Sequence, residues 1–207
     1  MIRITTIFCT GLLLAGPAIS GELPGVENVL GRFIEAVGGA EALNAIDERH
    51  YRGTIIQDLS RDDPQRTETP FIAAADVAGN VRYAETRDWS KLPVGDADEL
   101  PSKLRWILHP RFALVVEDFF PGLSVERREV RDGRNVVVLV PRDLKPEYYS
   151  LYFDEETGLL NHVGYHNELE DWRELGGVLH PHRWVFGRKG GHTTYVWQEV
   201  IDTPVRR

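Results

Sequence analysis

The sequence predicts a mainly β protein with a small α component: one long, curved antiparallel sheet covered by one or two N-terminal helices. Three observations lead there. An amphipathic helical stretch stands near the start. From His50 onward the texture changes to β-branched and aromatic runs. Those runs recur at regular spacing with turn signals between them, which argues one continuous antiparallel sheet. A sheet with that many strands must curl or close, so it acquires a concave face that something has to cover.

The helix is expected over Asn28–Val37. Val26, Val29, Leu30, Phe33, Ile34 and Val37 recur at steps of three and four and form a single apolar stripe. Gly38 and Gly39 stop it. A second short helical turn follows over Ala40–Ile46, with Leu43 and Ile46 inward.

Tyr51–Gln57 reads as the first strand. Phe71–Ala75 and Asn80–Thr86 read as two more, hinged at Ala78-Gly79-Asn80. Asp88–Glu99 is a polar, acidic loop carrying Trp89 and Pro93. Ser102–Leu108 is expected as a short helix ending before Pro110. Phe112–Phe120 is apolar, and periodicity leaves helix and strand both open for it.

Ser124–Arg131 alternates, and Asp132-Gly133 marks a tight hairpin into Asn135–Val140. The run Val136–Val140 is apolar on both faces, as in a strand covered on both sides. Tyr148–Asp154 and Leu159–Asn167 are expected to pair across Glu155-Glu156-Thr157-Gly158, with Gly158 at the left-handed position. Trp172–Leu175 is a short strand ending at Gly176-Gly177. His182–Arg188 and Thr193–Ile201 close the sheet.

Residues 1–20 read as a cleavable export signal, leaving 21–207 as one domain. Arg3 supplies the positive end, Ile4–Ala15 the apolar run, and Ala18-Ile19-Ser20 the small residues before a cut. The apolar run is shorter than the ~20 residues a spanning helix needs, so the mature chain is expected to have no transmembrane span. Cys9 is the only cysteine and lies inside that signal. The mature chain therefore has no thiol for a disulfide, a thiolate metal site or a nucleophile, which suits an oxidising compartment such as the periplasm. Removing the signal takes away Arg3 and moves the net charge from −8 to −9. Such a chain repels phosphate backbones, which excludes nucleic acid as a natural partner, and disfavours anionic lipid surfaces.

Paired acids such as Asp62-Asp63, Asp96/Asp98 and Glu155-Glu156 fall in loops and turns, where carboxylates are solvated. Histidine offers more. His162 and His166 are expected on one face of one strand, about 13 Å apart, which is too far for a shared metal. His180 and His182 flank Pro181 on one strand face about 7 Å apart. With Asp171 or Glu174 they could form a weak divalent site, but histidines in strands are more often surface or core residues, and no metal or cofactor is expected. A Gly-x-Ser-x-Gly elbow, a phosphate loop and a His-Glu-x-x-His helix are all absent from the sequence, which argues against hydrolase chemistry.

The aromatic residues point elsewhere. Tyr149, Leu151 and Phe153 are expected to share one strand face, Trp184 and Phe186 a second, and Tyr195 and Trp197 a third. With Phe33, Val163 and Tyr165 they are the candidate lining of an apolar cavity in the curled sheet. Each alone could equally be filler in a dry core, where large apolar residues belong by default.

Two stretches carry a family resemblance. One is Ile34-Glu35-Ala36-Val37-Gly38-Gly39-Ala40-Glu41-Ala42-Leu43 followed by Tyr51-Arg52-Gly53-Thr54. The other is Leu151-Tyr152-Phe153-Asp154-Glu155-Glu156-Thr157-Gly158-Leu159-Leu160, then Asp171-Trp172-Arg173 and Gly177-Val178-Leu179-His180-Pro181. Together they resemble the outer-membrane lipoprotein-sorting protein-like family, which is similar in fold to the LolA and LolB lipoprotein carriers. The family more often has tyrosine at Trp172 and a different residue before the proline at His180. The resemblance implies a LolA-like incomplete barrel with a helical lid over an apolar cavity. The expected function is then a monomeric periplasmic carrier of a lipid, a lipidated protein or another apolar ligand, without catalysis. A docking scaffold for another envelope protein is the alternative, and a metal-dependent hydrolase a distant third.

Overall fold

A computed structural model describes residues 22–58, 66–95, 102–188 and 191–205. The expected export signal, Cys9 and the end of the acidic loop at 96–99 lie outside the described residues.

Two helices come first, α1 over Val26–Ala36 and α2 over Gly39–Asn44. Ten strands follow: β1 Ile46–Asp58, β2 Arg66–Asp76, β3 Val81–Ala84, β4 Ser124–Arg131, β5 Arg134–Val140, β6 Leu151–Asp154, β7 Leu160–Val163, β8 Asn167–Leu175, β9 Val178–Arg188 and β10 Gly191–Pro204. They form one antiparallel sheet in the order β3-β2-β1-β10-β9-β8-β7-β6-β5-β4, so β1 and β10, the first and last of these strands, pair inside it. The sheet is open between β3 and β4. Val81 of β3 and Val137 of β5 nevertheless belong to one core cluster, because the sheet wraps around it.

Between β3 and β4 the chain crosses the mouth of that curl as an insert. It comprises α3 (Ser102–Leu108), a 3-10 turn over Phe112–Leu114 and α4 (Val116–Phe119). Phe112–Phe120 is thus helical. Its apolar residues face the core in short turns too brief to set up a period.

Two expected strands need correction. Tyr148–Asp154 begins as a helical turn, α5 (Pro146–Tyr149), because Pro146 presets the first position of a helix; only Leu151–Asp154 is strand. Leu159–Asn167 is broken by a turn at Gly164 into β7 and β8. A Cβ at Gly164 would lie 2.6 Å from the Tyr148 backbone, and its φ is +62°, so only glycine fits there. His162 and His166 therefore do not share a strand.

The hairpins form as their turn residues dictate. Asp132 and Gly133 both take positive φ (49° and 77°), as a two-residue turn between right-twisted strands requires. Between β6 and β7, Gly158 has φ +76°, and the Asp154 carboxylate accepts hydrogen bonds from the Glu156 and Thr157 amides at 2.8 Å. Burial would raise the Asp154 pKa, but those two donors and Arg134 together hold it below the usual carboxylate value. On β5, Val137 and Leu139 join the main core while Val136 and Val138 pack with Tyr152 on the opposite face. The Arg131 guanidinium lies over that opposite face, 4.3 Å from the Tyr152 ring centroid.

Helix α1 is seated by glycines. Gly38 has φ +119°, and a Cβ there would stand 2.2 Å from the Gly177 carbonyl oxygen in the β8–β9 turn. The Leu179 amide donates to the Val37 carbonyl at 2.9 Å across the same contact. In the C-terminal half of the helix, a Cβ on Gly158 would lie 3.0 Å from the Arg32 carbonyl oxygen and 3.3 Å from the Ala36 Cβ. The two sequence stretches behind the family resemblance thus meet in space. We expect Gly38→Ala to destabilise the fold by about 3 kcal/mol, from left-handed strain plus a backbone clash. Gly79→Ala, which shares a positive φ of 84° but meets nothing within 4 Å, should cost no more than ~1 kcal/mol. Urea denaturation of both variants measures the difference.

Candidate functional site

The concave face is where the chain brings its aromatic residues together. On β9, Val178, His180, His182 and Trp184 alternate inward and are buried, with Phe186 half-buried beyond them. Pro181 is tolerated inside β9 because pairing with β10 reaches only Arg183, so the proline faces no ladder partner on that side. On β10, Tyr195 and Trp197 turn inward. On β8, Leu169 faces the core and Trp172 packs against it; Asp171 between them takes a positive φ (54°) where the pairing with β9 passes from Glu170 to Trp172.

The rings form a continuous chain. Trp184 stacks on Tyr195 at 5.1 Å, and Tyr195 on Trp197 at 6.3 Å. Trp197 meets His180 at 5.8 Å, and His180 meets Tyr51 at 5.4 Å. Phe33 from α1 enters the other side of the core, 5.4 Å from Phe153 and 6.4 Å from Trp172.

Of the ten residues expected to line a cavity, Phe33, Leu151, Phe153, Val163, Trp184, Tyr195 and Trp197 are buried in this one core, and Phe186 packs against it. Tyr149 reaches the core from α5, 6.5 Å from Phe120, rather than from a strand face shared with Leu151 and Phe153. Tyr165 stands apart. It sits in the β7–β8 turn with 54% of its surface exposed, because the turn at Gly164 ends the alternation that would have carried it inward.

The space these residues enclose is occupied by the insert. Trp106 of α3 reaches Trp184 at 6.1 Å and Phe120 at 5.8 Å, and Phe112 lies 5.1 Å from Trp106 and 6.3 Å from Phe33. What remains is small. A cavity of about 40 Å³ lies at the seam between α1, α2, the insert and β9. Another of about 70 Å³ lies between α1 and the β6–β7 hairpin. Ligand pockets run from roughly 300 Å³ upward, so the concave face is filled; the larger hollows, about 590 and 450 Å³, lie along α1 at Gly31 and Glu35 and beside His162, Glu168 and Glu170 on β7 and β8. Sequence reasoning named the floor but missed Trp106 and Phe112, which fill it. The signal was the density of aromatic residues in the one segment whose periodicity was ambiguous.

Polar bonds tie the insert to β1 and its approach. Tyr51 Oη, fully buried, donates to the Leu108 carbonyl at 2.8 Å. Arg111 donates through Nε and Nη2 to the Ile46 carbonyl at 2.9 and 2.6 Å, and through Nη2 to the Asn44 carbonyl at 3.0 Å. Arg49, 3% exposed, is engaged in a two-pronged pair with Asp202 at 2.5 and 2.9 Å. The ion pair neutralises the buried Arg49 guanidinium.

Four histidines, His109, His162, His180 and His182, are buried, and burial favours their neutral form. Burial pushes His180 well below the ordinary histidine value, and the nearby charges of Arg49 and His182 push the same way. Burial also lowers His109 and His182, and brings His162 down to about 4. His182 Nδ1 is 2.9 Å from the Trp197 carbonyl oxygen, and His180 and His182 stand edge to face at 5.9 Å. Among the described residues no group of three histidine, cysteine or acidic side chains is placed to hold a metal. No helix among them is long and apolar enough to cross a membrane.

A histidine neutral in the fold but free to ionise when unfolded binds more protons in the unfolded state, so it withdraws stability as pH falls below about 6.5. We expect the urea midpoint to drop between pH 7.5 and pH 5, and His180→Phe to shrink that drop. A midpoint equally pH-dependent in the variant would mean that other groups govern acid sensitivity.

No protein-family model and no curated protein matches the sequence. Solved structures do. A LolA-superfamily protein of Nitrosomonas europaea superposes with TM-score 0.52 at 12% identity, covering 89% of this chain and 94% of that one. An outer-membrane lipoprotein-sorting protein domain of Vibrio parahaemolyticus gives TM-score 0.51 at 10% identity, over 85% of this chain and 92% of that one. A DUF1329-family protein of Desulfovibrio piger gives 0.51 at 10% identity, over 84% and 92%. Likeness at such low identity speaks to architecture, and on that ground the open ten-stranded sheet with its helical cover is a LolA-like fold.

Proposed function

We propose that this protein is a non-catalytic periplasmic carrier that binds an apolar ligand, a lipid or the lipid part of a modified protein, on the floor now covered by the insert. The observation that carries this reading is the make-up of the plug. Trp106, Phe112 and Phe120 sit on the concave face as an apolar guest would, yet the segment holding them is short-turned and crosses the mouth of an open sheet. Moving it exposes the Phe33–Phe153 and Trp184–Trp197 surfaces together. Binding is then an exchange of one apolar occupant for another. Burial returns about 25 cal/mol per Å² whichever occupant covers the floor. The balance is therefore set by what holds the insert down, namely Tyr51 and Arg111. The LolA-like architecture supports the same reading by analogy.

The filled interior favours one other reading, a docking scaffold that never opens. The two differ in the response to loosening. If the closed form competes with ligand, removing an anchor raises the binding-competent fraction and tightens apparent affinity by the same factor. Tyr51→Phe, which removes one anchoring hydrogen bond worth about 1 kcal/mol, should increase the affinity for a fluorescent fatty-acyl probe about fivefold, and Arg111→Gln, which removes three, by at least as much. Mass spectrometry of the purified wild-type protein should recover a bound apolar molecule. If wild type and both variants bind no probe and carry no ligand, the scaffold reading replaces the carrier.

A further inference from the structure

We propose that the covered floor selects apolar ligands bearing an uncharged hydrogen-bond acceptor, an ester or amide carbonyl, over bare hydrocarbon and over free carboxylates, with Trp184, Trp197 and His180 as the specificity-determining residues. The proposal rests on the carrier reading and adds the chemistry of what is carried.

Its basis is a set of polar atoms without partners. The indole nitrogens of Trp106, Trp184 and Trp197 and both ring nitrogens of His180 are buried and meet no hydrogen-bond partner among the described residues. The Ile107 and Pro181 backbones lie near His180 without giving either nitrogen a bond of normal geometry. Folded interiors leave few such groups unpaired, and a cluster of them calls for an explanation. The rings that carry them follow one another through the core, with a further unpaired indole nitrogen, that of Trp172, on the Phe33 side. Trp106 faces Trp184 at 6.1 Å, and Trp184 continues through Tyr195 to Trp197 and His180.

The donor count decides the ligand chemistry. An indole can only donate, and a neutral imidazole carries one N–H. The floor is thus rich in donors that want an acceptor, and the insert above it supplies ring faces. A hydrocarbon guest would leave the same donors unpaired. A carboxylate guest would accept from them but would bring a full charge into an apolar site. The guanidinium at hand, Arg49, is already neutralised by Asp202, so that charge would go uncompensated. A neutral carbonyl accepts the N–H groups without that cost. His180 is suited to the task because it stays neutral when buried, as its surroundings dictate.

The test uses 1-decanoylglycerol and 1-O-decylglycerol, which share chain length and headgroup and differ by one carbonyl oxygen. Each displaces a fluorescent acyl probe from the wild-type protein. The ester should bind about fivefold tighter than the ether, the factor that one net hydrogen bond gives. Trp184→Phe, Trp197→Phe and His180→Phe, each checked for a folded near-UV spectrum, should bring that ratio toward one, because the ester loses the hydrogen bond that the ether never made. Decanoate should bind more weakly than the ester. Equal affinity for ester and ether in the wild type overturns the proposal and leaves the carrier reading standing. Binding of neither overturns both. Two further competitors locate the ester. A diacylglyceryl-cysteine peptide and phosphatidylglycerol of equal chain length each carry it, and displacement by either supports the proposal and names the source. Displacement by neither counts against it.

Discussion

A sheet of ten strands that curls without closing has a large inner face that must be kept from water, and everything else in this chain answers to that demand. Closing the barrel would remove the demand, because the last strands would pair and side chains from all around would fill the lumen. Here β3 and β4 stay apart, and the chain between them crosses the gap instead of bridging it. Cover has to be supplied by separate pieces. Two are available: the N-terminal helices and the insert. They are attached in different ways, and that difference is where structure leads to function.

Helix α1 is attached by backbone proximity. Gly38 lies against the Gly177 carbonyl and Gly158 against the Arg32 carbonyl, at distances a side-chain carbon would not allow. Contacts of that kind tolerate little sliding, since moving the helix opens gaps along rigid backbone that side chains cannot follow. The insert has another kind of attachment. Its rings lie on other rings, and its polar bonds run to carbonyls at the helix–strand junction and to one tyrosine hydroxyl. Ring-on-ring contacts are broad and weakly directional, and the few hydrogen bonds can be exchanged for water. One cover is built into the frame; the other rests on it.

Much of this was legible in the sequence where a local rule decided the outcome. The stripe over Asn28–Val37 located α1 to within two residues, Asp132-Gly133 marked a two-residue hairpin that the backbone then took, and Gly176-Gly177 marked the end of β8. Reading failed where tertiary contact overrode pattern. Leu159–Asn167 looked like one strand because nothing in its alternation reveals that Gly164 must approach the Tyr148 backbone. Tyr165 was placed inward by the same alternation and is exposed. Tyr149 followed Leu151 and Phe153 by parity until Pro146 turned its segment into a helix. Most of the aromatic floor could be listed in advance because period two places side chains without knowledge of partners. That the insert would lie on it could not, since Phe112–Phe120 has no period to read and Trp106 gives no hint of which surface it will meet.

The filled interior need not count against a carrying role, because an apolar site without its guest faces the same problem as an apolar core without its filler. An empty hollow of ligand size would cost tens of cal/mol for every cubic ångström left unfilled, so a site that holds greasy matter has reason to hold its own when none is present. A substitute of that kind should match the guest in bulk but not in every interaction; otherwise the guest could never displace it. Trp106 and Phe112 supply bulk, and the unpaired nitrogens of Trp184, Trp197 and His180 are what they leave unsatisfied. An exposed side chain would have water for a partner, and a finished core would have provided one from the chain. Nitrogens that are buried yet unpaired under a removable cover fit neither case. On the proposed carrier reading, the closed form is stable enough to persist and incomplete enough to yield, which is the balance reversible binding requires.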